Sequence, residues 1–97
     1  MEFLDMVVTV DKDKVKQLTE EVEKESKRVL INIGNLVRTY REKDNVSLRE
    51  LSRRSGVCIA SVCELESGGK LPHIPILLKI AFALGIPLTE ILNENLI

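Results

Sequence analysis

Apolar residues in the first half of the chain recur at Val15, Leu18 and Val22, and again at Val29, Ile33, Leu36 with Val37, and Tyr40. Steps of three and four keep one face of an α-helix apolar. One beat is missing, at Glu25-Ser26. The pattern therefore fits either one long helix of about 28 residues or two helices in succession. Asp11 or Asp13 begins it, because a short carboxylate accepts from the free amides of a first turn and favours its positive end. Gly34 inside the segment costs about 1 kcal/mol relative to Ala, which is tolerable. Ahead of it, residues 3–10, "FLDMVVTV", suit a short strand or an extended arm. A lone strand is not stable, so it must pair with its copy in a second chain or lie flat on the domain.

The second half breaks into short elements. Asp44-Asn45 ends the long segment. Ser47 caps a helix "LRELSRRS", and Glu50, three residues on, completes a capping box. Gly56 supplies a left-handed turn. A helix over 58–66 follows, closed by Ser67-Gly68-Gly69. Pro72 and Pro75 sit at the start of the next helix, where missing amides cost little. That helix, "IPILLKIAFALG", is nearly all apolar and is expected to be the central buried one. Gly85 stops it, and Pro87 opens a last short helix, "PLTEIL". The expected architecture is all-α.

With 97 residues the chain is one small domain with one core. Aromatics are only 3%, so that core is aliphatic. There is no apolar run of about 18 residues to cross a membrane, and the start does not look like a secretory signal. The expected compartment is a reducing cytoplasm. Cys58 and Cys63, five residues apart, would point about 140° apart on one helix, a poor geometry for an internal disulfide. The one histidine, His73, has no second pair of thiols to complete a zinc site, so no metal or other cofactor is expected. No glycine-rich phosphate loop or acid/base constellation suggests an enzyme. The net charge of −1 does not announce a nucleic-acid binder. Its distribution is uneven: −2 over residues 1–30, +2 over 31–72 and −1 over 73–97. The positive stretch coincides with a helix-turn-helix pattern.

That pattern has physical requirements. Its first helix needs a small residue where the second crosses it, its turn needs positive φ, and its second helix needs an apolar inner face. Leu51 and Ser52 supply the first, Gly56 the turn, and Val57, Val62 and Leu65 the inner face. With "LRELSRRSGV" and "ELESGGKLPHIPILLKIAFALGIPLTEIL", residues 33–92 resemble the Cro and phage-repressor (Xre-type) helix-turn-helix family. The resemblance implies a five-helix, lambda-repressor-like DNA-binding domain over residues 31–97. Residues 1–30 would then be an added arm and helix, with a narrow apolar seam suited to a dimer. The family pairs an Arg late in its first helix with the Glu ending the third. Arg41 and Glu66 hold those places, as a structural ion pair.

The resemblance implies a small bacterial or phage transcriptional regulator, a repressor, that binds double-stranded operator DNA as a homodimer. Bases would be read from the helix at 58–66. Here its outward positions are Ile59, Ala60, Cys63 and Glu64, and the family's frequent Gln at the start of the preceding helix is Leu48. None makes a bidentate contact with guanine or adenine. Two readings follow. In one, Ile59 and Ala60 touch thymine methyls and Ser61 reaches a phosphate or base edge. Ser47, Arg49, Arg53, Arg54 and Lys70 then border the backbone, with Arg38 and Lys43 adding charge nearby. In the other, the helix face 58–66 binds a protein partner, with little or no DNA binding.

Overall fold

The computed structural model describes residues 11–96. The expected arm over residues 3–10 lies outside them. Among the described residues there are five helices: α1 (Lys12–Lys43), α2 (Leu48–Ser55), α3 (Ile59–Glu66), α4 (Ile74–Ala83) and α5 (Leu88–Leu96).

The long periodic segment is one helix of 32 residues. Asp11 caps it: its Oδ1 accepts from the amides of Asp13 at 3.0 Å and Lys14 at 3.2 Å. The missing apolar beat does not break it, because Glu25 pairs forward with Arg28 one turn on and both stay in solvent. Asn45 adopts φ 58° as the helix ends, and the Val46 amide returns to the Arg41 carbonyl at 3.0 Å.

The capping expectation for α2 holds by half. Ser47 Oγ accepts from the Glu50 amide at 3.0 Å. The Glu50 carboxylate does not turn back to complete the box; it turns forward to Arg53 and Arg54. Two guanidiniums within one turn outbid a single neutral amide for a carboxylate. Gly56 closes α2 at φ 73°, and Ser52 Oγ donates to the Val57 carbonyl at 2.6 Å across the turn.

The core is aliphatic. Ile33, Val37, Leu51, Val62, Leu65, Leu77, Ile80 and Ile91 are its largest fully buried side chains, drawn from all five helices. The expectation that α4 is buried all round is corrected. Leu77, Ile80 and Ala81 are buried, but Ile74 is 54% and Phe82 70% exposed. Too few elements surround this helix: α2 and α5 cover one flank, and the other faces water.

α1 plays two parts. Its second half is the first helix of the domain, packed on α3 and α5. Its first half stands clear, with every residue from 11 to 28 exposed. The projection gives the molecule extents of 57 × 25 × 24 Å. Gly34 marks the tightest crossing. A Cβ there would lie 2.1 Å from the Leu65 carbonyl oxygen, so α1 and α3 touch backbone to backbone. The glycine that costs helix stability in isolation is what lets α3 sit this close.

Candidate nucleic-acid interface

α2, the turn at Gly56 and α3 form a helix-turn-helix whose inner face is as the spacing predicts. Leu51, Val62 and Leu65 are 0% exposed and Val57 is 5%. An ion-pair cluster fixes the end of α3. Glu66, 3% exposed, takes the Arg41 Nε at 2.8 Å on Oε2 and the Arg41 Nη2 at 3.0 Å on Oε1. This is the bidentate fork that guanidinium geometry favours. Arg41 Nη1 also donates to the Val46 carbonyl at 2.8 Å. Its hydrogen bonds to Glu66 raise the Arg41 pKa further, against the opposing effect of burial. Arg38, expected as loose charge, adds a third bond to Glu66 at 3.3 Å. One buried carboxylate thus ties α1 to the end of α3 through residues one helical turn apart.

On the outer face of α3, Ile59 is 43% exposed and Ala60, Cys63 and Glu64 are all exposed. No described residue covers them. Ser61 is half-buried, and its hydroxyl lies 3.1 Å from the Cys58 Sγ. That contact lowers the Cys58 pKa from the usual thiol range. Both cysteines are free and exposed. Leu48 is half-buried and packs against the core instead of projecting outward.

The cations lie beside this face. Arg49 and Lys70 are exposed. Arg53 and Arg54 both engage Glu50, Arg53 Nε at 2.9 Å from Oε2 and Arg54 Nε at 2.9 Å from Oε1. They hold its carboxyl down at about 2, Arg53 contributing most. Ser47 is exposed, with its hydroxyl occupied as the α2 cap. A groove of about 390 Å³ runs between the start of α3 and the first turn of α4, lined by Cys58, Ser61, Glu64, Lys70 and His73 among others. The arrangement is a rigid helix presenting apolar contact surface and one carboxylate, flanked by cations from α2 and the 67–73 loop.

Three positioning contacts escaped the sequence reading. They are the Arg38 bond to Glu66, the close approach at Gly34, and the Tyr40 hydroxyl, 2.8 Å from the Glu90 carboxylate, which joins α1 to α5. Only the isolated glycine within an apolar helical rhythm left a signal, since such a residue often marks a packing contact. Among the described residues no cluster of His, Cys, Asp and Glu is placed to hold a metal ion, and no helix is long and apolar enough to cross a membrane.

The helix-turn-helix family matches residues 37–91. Among solved structures, the clp gene regulator ClgR from Corynebacterium glutamicum is 31% identical with a TM-score of 0.65, over 69% of this chain and 86% of its own. The restriction-modification controller protein C.AhdI from Aeromonas hydrophila is 29% identical with a TM-score of 0.62, over 64% of this chain and 94% of its own. The comparison with curated proteins found no match. The matched family region begins at Val37, so the projecting half of α1 lies outside it.

Proposed function

The chain belongs to the Cro and phage-repressor (Xre-type) helix-turn-helix family, and on that premise we propose that it is a sequence-specific DNA-binding transcriptional regulator, acting as a repressor. The reading helix is α3, and the operator is a short, roughly palindromic duplex bound by a homodimer. The observation that carries this reading is the bare outer face of α3 beside Arg49, Arg53, Arg54 and Lys70. Two of the matched structures are, by their names, a gene regulator and a controller protein.

This face sets the style of recognition. Ile59 and Ala60 contact thymine methyls, and Ser61 serves once its hydroxyl turns from Cys58. Ser47 and Cys63 lie at its border and supply contact more than discrimination, while Leu48, turned to the core, helps to hold the start of α2 in place. Glu64 accepts from a cytosine amine or stands against phosphate. Specificity therefore leans on groove shape and half-site spacing more than on bidentate base contacts. Arg53 and Arg54 reach phosphate by exchanging Glu50 for it.

The second reading, a protein-binding module on the same helix, is favoured by one observation: Ile59 is 43% exposed at the first turn of α3, whose outer side also carries the exposed Glu64. A salt series separates the two. Fluorescence polarisation on labelled duplex is expected to show log K falling linearly with log salt as phosphates release their counterions. Glu64→Gln is expected to tighten binding to random duplex by removing a charge that repels phosphate. Absence of binding at low salt to both its own upstream DNA and random duplex sinks the regulator reading.

A further inference from the structure

The projecting half of α1 carries an apolar seam with nothing on it. Val15, Leu18 and Val22 are 46%, 59% and 54% exposed. With Val29 they repeat at alternating steps of three, four and seven, the spacing of a coiled-coil seam with Glu25 at the one polar position. Where the helix meets the domain, a largely apolar groove of about 440 Å³ opens between Val22, Ser26, Val29, Leu30 and Leu71. A helix exposed all round gains little from propensity alone. Seam and groove together describe the two halves of one joint.

We propose that this half of α1 pairs antiparallel with the same segment of a second copy, in the register that sets Leu18 of the partner subunit against Val29. Leu18 of each chain then enters the groove of the other as a knob in a hole. Val22 of each chain meets the stem of Glu25, whose head is already held by Arg28. Charge chooses the register. In antiparallel pairs the positions preceding Val15, Val22 and Val29 flank one another across the joint; here Glu21 faces Arg28 of the partner subunit, twice by symmetry. Thr19 faces Ser26 on the other side. Sliding by one heptad toward the helix start sets Glu21 against Glu21 and Lys14 against Arg28. Sliding two heptads restores a Lys14–Glu21 pair but leaves the groove empty. A parallel pair brings two Glu25 carboxylates together in the seam and gives no opposite charges across it.

This joint also places the domains. The two-fold axis runs between the two helices, at the level midway between Glu23 and Lys24. Gly34, where α3 rests, is then about 16 Å from it at 1.5 Å per residue, so the two contact points lie roughly 32 Å apart. One turn of B-DNA separates half-sites by about 34 Å. Ile33, Gly34 and Val37, which face the core, lie about 40–140° to one side of the seam at 100° per residue. A two-fold perpendicular to the paired helices therefore leaves both domains on the same side, as binding one duplex requires.

Only the spacing argument rests on the DNA-binding reading; the interface is tested without DNA. Sedimentation equilibrium of the full chain is expected to give a dimer, and Leu18→Glu to raise its dissociation constant about a hundredfold or more while helicity and cooperative unfolding of the domain persist. Glu21→Arg, at an exposed position, should weaken the dimer, and adding Arg28→Glu should recover part of that loss, the Glu25–Arg28 pair being given up. With Cys58 and Cys63 replaced by Ser, Leu18→Cys together with Val29→Cys should oxidise to an intermolecular disulfide, and Leu18→Cys alone should not. A monomeric chain, a Leu18→Glu variant that stays dimeric, or cross-linking by Leu18→Cys alone overturns the proposal. A monomer that still binds duplex defeats the joint and leaves the regulator reading standing; a dimer that binds no duplex does the reverse.

Discussion

Replacing Glu66 by Leu should be among the most damaging single changes in the molecule. The carboxylate is 3% exposed and takes three hydrogen bonds from two arginines. Arg41, with its side chain 12% exposed, would keep only its bond to the Val46 carbonyl and its long contact with Glu42. Removing one member of a buried ion pair costs about 3–5 kcal/mol. A domain of this size has a total stability of about 5–15 kcal/mol. At roughly 4–8 °C per kcal/mol, Tm should fall by about 12 °C or more. Arg38 is half in water and returns to solvent at little cost. Arg41→Met should be comparably damaging, because it leaves buried Glu66 with only the 3.3 Å bond from half-exposed Arg38 and strands the Val46 carbonyl. The double variant is the decisive one. With both charges gone the remaining loss is the Val46 carbonyl, about 1–3 kcal/mol. The double should therefore be clearly more stable than the sum of the singles predicts, with a coupling above about 1 kcal/mol. Urea unfolding followed by circular dichroism, at one fixed protein concentration, measures all three. Strict additivity, or a Glu66→Leu loss below about 1 kcal/mol, refutes the claim that this pair holds α1 to α3.

Gly34→Ala should destabilise by about 1–3 kcal/mol in the same assay, the reverse of the gain Ala gives in an open helix, because its Cβ would meet the Leu65 carbonyl oxygen at 2.1 Å. An NMR acid titration should find the Glu50 carboxyl protonating near 2, held down by Arg53 and then Arg54. Its folded pKa lies below the unfolded value of about 4.3, so its contribution is present in full above that value and disappears as pH falls toward 2. Arg53→Ala should move the midpoint upward. Iodoacetamide followed by mass spectrometry should show Cys58 reacting with a pH midpoint below the usual thiol range, and Ser61→Ala should move that midpoint up and slow labelling at neutral pH.

Local signals carried much of the fold. Helix starts were readable at Ser47 and, to within two residues, at Asp11 or Asp13, and the turn at Gly56, because caps and positive φ depend on one or two residues. The inner face of the helix-turn-helix was readable because its spacing leaves little choice. The Arg41–Glu66 pair came from resemblance, since nothing in local sequence links positions 25 residues apart. Other features depended on what surrounds an element. Composition cannot tell a helix buried on all sides from one with Phe82 in water, as α4 turned out. The rhythm around Glu25 left one helix or two open, because one polar turn neither breaks a helix nor forbids a break. Of the candidate interface, the exposure of Ile59, Ala60, Cys63 and Glu64 followed from helical spacing. The capture of Arg53 and Arg54 by Glu50 did not, because i,i+3 and i,i+4 partners compete with the capping role the same residue was expected to fill.

An unbroken α1 makes azimuth a coded quantity. Through Gly34 and Glu66 the orientation of α3 is set by the rotational phase of α1, and about five turns of continuous helix carry that phase from Gly34 out to Val15. Each residue inserted between them turns the outer segment by about 100° relative to the reading helix. Insertions of seven nearly restore the phase, while one or two swing the seam to the far side. Length in this segment is therefore constrained in steps of a heptad, much as a key tolerates a longer shank only if its teeth still face the wards.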